Sequence, residues 1–140
     1  MFVNQISVFI NNQQGTIADV ISILGENGIN LKAVSVSDRA EYGLLRLIVD
    51  KPEEALELLK KSEYKVKIAK TIGIIVNSNN PNELAKILTI IKNNNIEITY
   101  IYSYGKVSEC KEAVIFNNST VFSNSWVLMI TASLHSLTLP

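Results

Sequence analysis

NNQQGTIADVISILGENGINLKAVSVS (residues 11–37) and SNNPNELAKILTIIKNNNIEITYIYSY (residues 78–104) are two copies of one pattern. Aligning Ile17-Ala18 with Leu84-Ala85 sets an ungapped offset of 67 positions, at which Gln14 faces Pro81, Val20 faces Ile87, Leu24 faces Ile91 and Leu31 faces Ile98. At the same offset Leu47 meets Val114, Ile48 meets Ile115 and Val49 meets Phe116, and then the correspondence stops. A repeat of this length asks for two similar folded units, each too small to hold much core of its own. The divisions read from it are 1–70 for the first unit, 71–118 for an incompletely matching second and 119–140 for a tail.

Working outward, Ile6, Val8 and Ile10 alternate with Gln5, Ser7 and Phe9, the period of a strand. NNQQG makes the turn, and Thr16 with Asp19 reads as a capping box that opens a helix. Ile17, Val20, Ile21 and Leu24 form its apolar stripe, and Asn27-Gly28 its left-handed stop. Residues 30–38 and 42–50 read as an antiparallel pair of strands. Pro52, Glu53 and Glu54 begin a second helix with Ala55, Leu58 and Leu59 on its buried stripe, and residues 65–69 form a fourth strand. The order strand-helix-strand-strand-helix-strand is the ferredoxin-like βαββαβ arrangement of an α+β fold. The second unit follows with a strand at 71–76, a helix opened by Asn80, Pro81 and Glu83, a strand at 96–104 and another at 113–116.

Thirteen basic and thirteen acidic side chains cancel, so no net field draws the protein to nucleic acid or anionic lipid. Tyr100, Tyr102 and Tyr104 share one face of a strand, yet no Lys/Arg cluster surrounds them; a row burying itself against a partner sheet is the favoured reading over base stacking. Neither nucleic acid nor membrane is an expected partner. Cys110, the single cysteine, permits no internal disulfide, and MFVNQISVFI has none of the marks of a secretion signal, so a cytoplasmic location is expected. His135 is the only histidine, and no phosphate-binding glycine loop, metal-ligand spacing or nucleotide fingerprint is present. A non-catalytic protein with no cofactor and no metal is the expectation.

Residues 119–140, STVFSNSWVLMITASLHSLTLP after Asn118, carry no charge and no helical stripe where the first copy has PEEALELLKK. They read as a frameshifted, degraded or disordered terminus, or else as a strand paired to the second sheet or to another chain.

From Met1 to about Asn118 the sequence resembles the ACT domain, a small-molecule-binding regulatory module, in its stand-alone tandem form. The turn that in ACT domains commonly contains Pro-Gly is Asn12-Gln13-Gln14-Gly15-Thr16-Ile17 in the first copy, which keeps the glycine, and Asn79-Asn80-Pro81-Asn82-Glu83-Leu84 in the second, which keeps the proline. Asn27 to Leu31 is similar to the family's approach to its second strand, with Asn94 to Ile98 a weaker echo. The resemblance implies an allosteric regulatory protein that binds a free amino acid where ACT units meet. The implied contacts are Asn12, Gln13, Gln14, Gly15, Thr16 and Ile17, with Asn30 and Leu31 from an adjoining unit; in the second copy they are Asn79, Pro81, Asn82, Leu84 and Ile98. A helix start presents backbone N–H groups and partial positive charge, which suits an α-carboxylate, and Asn30 or carbonyls near Leu31 would meet the ammonium group. Gly15 and Pro81 have the plainer reading of turn formers only. Open sheet edges suggest a homodimer. The alternatives are a regulatory subunit docked on an amino-acid biosynthetic enzyme such as acetolactate synthase, and an interaction module without a ligand.

Overall fold

The computed structural model describes residues 2–11, 13–38, 41–77, 79–108 and 111–117. The chain runs β1 (Phe2–Ile10), α1 (Thr16–Glu26), β2 (Leu31–Asp38), β3 (Gly43–Val49), α2 (Pro52–Lys61), β4 (Lys65–Asn77), α3 (Glu83–Asn93), β5 (Tyr100–Ser108) and β6 (Lys111–Asn117). It divides into two compact units, Phe2–Thr71 and Ile72–Pro140. The fourth strand of the first unit and the opening strand of the second, expected as separate segments, are the continuous β4, and the division falls inside it.

In the first unit the strand order is β2-β3-β1-β4. Ile6 lies opposite Leu47 and Val8 opposite Leu45, which puts their side chains on one face, where α1 contributes Val20 and Leu24 and α2 contributes Ala55 and Leu59. Each fully buried aliphatic side chain of this kind contributes about 1.5–3 kcal/mol. Ile17, expected on the buried stripe of α1, is instead 39% exposed, because it lies in the first turn, beyond the edge of the core. The other face is not simply solvated. Gln5 and Arg46 are buried there, with Arg46 Nη1 donating to Ser37 Oγ at 3.2 Å.

The second unit has the order β4-β6-β5, with Ile72, Ile74 and Val76 of β4 packed with Ile87 and Ile91 of α3 and with Ile96. Its helix repeats the first with full fidelity: α3 begins and ends 67 residues after α1. The strand that precedes it does not. An offset of 67 would carry Ile6, Val8 and Ile10 to Gly73, Ile75 and Asn77, but the core uses Ile72, Ile74 and Val76, and Ile75 is exposed. Likewise Ser7 pairs with Arg46, whereas Ile74 pairs with Val114 rather than Ala113. The ungapped match of Leu47 with Val114 nevertheless keeps its face, since Leu47 lies opposite Ile6 and Val114 opposite Ile74, both core residues, so the slip belongs to β4. The extra residue is found in the turn, which has five residues (11–15) between Ile10 and α1 but six (77–82) between Val76 and α3. Since strand side chains alternate, one inserted residue exchanges every face. The second copy of strand two also starts later than expected, at Tyr100, with residues 96–98 outside any strand.

Candidate functional site

Gly15 caps α1 with φ +91° and ψ −15°, a left-handed conformation that glycine adopts without a Cβ penalty. The capping box expected at Thr16 and Asp19 does not form. Thr16 is the first helical residue, and its hydroxyl lies 2.8 Å from Asn11 Oδ1 and 3.0 Å from the Gln13 carbonyl, both acceptors outside the helix. Asp19 N–H donates to the Gly15 carbonyl at 3.0 Å, the ordinary first helical bond. With no side-chain oxygen turned onto the first turn, the N–H groups of Ile17 and Ala18 have no acceptor among the described residues. They carry the positive end of an 11-residue helix dipole. Gln13, Gln14 and Gly15 are exposed, and a Cβ placed on Gly15 would meet nothing within 4 Å. Among the described residues no side chain fills the space beside Gly15. Asn12 lies outside the described residues.

Asn30 and Leu31 are held at the start of β2. Asn30 N–H donates to Asp50 Oδ1 at 2.9 Å, Asn30 Nδ2 donates to Asp50 Oδ2 at 2.8 Å, and Asp50 N–H donates back to the Asn30 carbonyl at 3.1 Å. The hydrogen bond from the Asn30 amide is the main cause that holds the Asp50 carboxyl below the usual aspartate range, with Lys51 adding to it. A depressed native pKa means that this carboxylate adds stability above the unfolded-state pKa, and that its contribution disappears as pH falls through the native value. Asp50 was missed in the sequence; its only signal was an acid at the end of a predicted strand. Leu31 is 38% exposed beside an irregularity in the β2–β3 ladder.

These two groups of residues sit at opposite ends of the first unit. Ile10 lies opposite Gly43, at one end of β3, and Leu31 opposite Val49, at the other. At ~3.3 Å per residue the two ends are about 20 Å apart. A single ligand of amino-acid size does not touch both within one unit.

In the second copy, Asn82 caps α3 in the right-handed region (φ −95°), so the longer turn enters the helix without a left-handed cap residue. Asn77 and Asn80 fold their side-chain oxygens onto the backbone N–H groups of Asn79 and Asn82, and Glu83 accepts from Asn77 N–H. Asn79, Pro81 and Asn82 are exposed, whereas Leu84 and Ile98 pack against the second core. In this turn side chains accept from backbone N–H groups, whereas in the Gly15 turn the side-chain contacts join the Thr16 hydroxyl to Asn11 and to the Gln13 carbonyl.

An open groove of about 460 Å³ is lined by Asn27, Ile29, Glu53, Glu54, Glu57, Leu58 and Lys61. None of the expected ligand contacts lines it. Tyr100 and Tyr102 stack at 6.2 Å and 26° and are half-buried. Among the described residues no three His, Cys, Asp or Glu side chains are placed to hold a metal ion, and no helix is long and apolar enough to cross a membrane.

The sequence matches the family described as an ACT domain pair over residues 1–131. That span runs past Asn118, where the resemblance had been expected to end, and takes in much of the tail. No curated protein matches. Among solved structures, a Bacteroides thetaiotaomicron protein is 28% identical, with 96% of this chain and 90% of that one covered at a TM-score of 0.83. The regulatory subunit of aspartate kinase from Thermus thermophilus, in its ligand-free form, is 20% identical with 97% and 93% covered at 0.68. The corresponding subunit from Thermus flavus is 20% identical with 95% and 90% covered at 0.62.

Proposed function

The chain belongs to the ACT domain pair family, and from that premise we propose that it is a non-catalytic sensor whose Gly15 turn receives the carboxylate of a free amino acid. The observation that carries this reading is the uncapped first turn of α1: backbone donors at Ile17 and Ala18, beside a glycine whose surroundings are empty. An anion there needs no basic side chain, because helix-end amides and dipole supply the complementary charge. The ammonium end is received by the Asn30–Leu31 end of another unit, since the two ends within one unit are too far apart. The complete pocket therefore lies in an assembly, for which a homodimer is the simplest form, and ligand stabilises whichever assembly closes it. Gln13, Gln14 and Thr16 line the same turn. The Asn79–Leu84 turn, with Asn82 where the first copy has glycine and with Asn77, Asn80 and Glu83 side chains bonded across it, is the weaker site.

A thermal-shift screen of the twenty standard amino acids tests this. One or two should raise the melting temperature with increasing concentration; a ligand at 100 times its dissociation constant stabilises by about 2.7 kcal/mol. A panel with no response removes the sensor reading and leaves an interaction module.

The Thermus relatives are subunits of an enzyme, and a docked regulatory subunit is the second reading for this chain. The exposed Val34 and Val36 of β2 favour some partner along that edge. Co-purification of a biosynthetic enzyme from the native host would support it.

A further inference from the structure

The three hydrogen bonds between Asn30 and Asp50 do more than tie β2 to β3. A carboxylate accepts and never donates, so Asp50 determines which way the Asn30 amide faces. Nδ2 turns to Asp50 Oδ2, and the polar atom left for any other partner is Oδ1, an acceptor. The backbone bonds on either side, at 2.9 and 3.1 Å, keep the two residues in register so that the amide cannot swing away without breaking them. Asn30 itself is exposed, at the start of an edge strand.

We propose that Asp50 is a positioning residue for ligand selection: by orienting the Asn30 amide it presents an acceptor outward, and so selects a ligand with a protonated amine over one with a keto oxygen in its place. This rests on the amino-acid-sensor reading and assigns to that site its discrimination between 2-amino and 2-oxo acids. An ammonium donates a charge-assisted hydrogen bond to Oδ1, while a keto oxygen meets it lone pair to lone pair. The second copy of the repeat holds a carboxylate and an amide with their places exchanged, Glu97 at the position of Asn30 and Asn117 at that of Asp50.

The exchange suggests the test. In Asp50→Asn the new amide keeps its oxygen on the Asn30 N–H and turns its Nδ2 toward the side chain of Asn30. The Asn30 amide then flips, and a donor faces the ligand. In the double variant Asn30→Asp/Asp50→Asn, the carboxylate introduced on β2 accepts from the amide introduced after β3 and again shows an oxygen outward. Titration calorimetry compares whichever standard amino acid binds with the 2-oxo acid of the same side chain. The parent should favour the amino acid by at least about tenfold, the range expected of a charge-assisted bond. Asp50→Asn should reduce that ratio to about one or reverse it, Asp50→Ala should bring it within roughly threefold, and the double variant should restore it. A merely structural role for Asp50 would weaken both ligands alike. A ratio unchanged in Asp50→Asn or Asp50→Ala, whichever folds, overturns the proposal and leaves the sensor reading standing; no amino acid binding to the parent overturns both.

Discussion

Gly15 and Asn82 occupy equivalent places and solve the same problem differently. Gly15 sits at φ +91°, where any Cβ is strained even though the space around it is empty, while Asn82 sits at φ −95° and needs no special residue. Gly15→Ala should therefore cost about 1–2 kcal/mol in urea unfolding, through backbone strain alone, whereas Asn82→Gly should change stability by only a few tenths. Equal losses at the two positions would show that the first turn relaxes freely. The turn was legible as a turn because Gly and Asn cluster there. Its open donors were not, since whether Thr16 caps the helix or bonds back to Asn11 and Gln13 depends on a φ value at Gly15 that composition does not specify.

The three helices among the described residues end in the same way. Ile29, Tyr64 and Ile96 each return their N–H to a carbonyl five residues earlier, on Leu24, Leu59 and Ile91, and the residue before each is left-handed: Gly28, Glu63 and Asn95. These are Schellman motifs, and each brings an apolar side chain back onto the core. Glu63 is the costly member of the set, at φ +66° with a full side chain. Glu63→Gly should raise stability by about 1 kcal/mol, seen as a later urea midpoint at unchanged slope; no gain would mean that the unfolded chain's added freedom cancels the relief. Helix positions followed directly from the 67-residue repeat because a helix and its caps are local. The face of the second half of β4 did not, because one residue inserted in the turn before α3 reverses it, and only its burial and its pairing to β6 reveal the slip.

At the scale of the molecule, β2 is the edge of the first unit's sheet, and it displays Val34 at 47% and Val36 at 49% exposure. A strand with no outer neighbour among the described residues and with alternating valines is a surface that a second chain can extend, and a lysine is the usual protection against that. Light scattering at tens of micromolar should give a dimer mass for the parent and a monomer mass for Val36→Lys, with far-UV circular dichroism unchanged and the melting temperature lowered by the lost association. An unchanged dimer mass would place the association on another surface. The proposed ligand site would call on the same assembly, because the Gly15 turn and the Asn30 clasp stand about 20 Å apart within the first unit.

By itself the sequence determined the duplicated α+β pattern, the placement of the helices and the family resemblance, all of which depend on short-range periodicity and turn chemistry. Tertiary structure alone decided that β4 is continuous, that its second half is shifted by one residue against the repeat, and that Asp50 closes on Asn30 across twenty positions of sequence. The physical reason is that strand register and side-chain hydrogen bonds are set by partners distant in the chain, which no local pattern encodes.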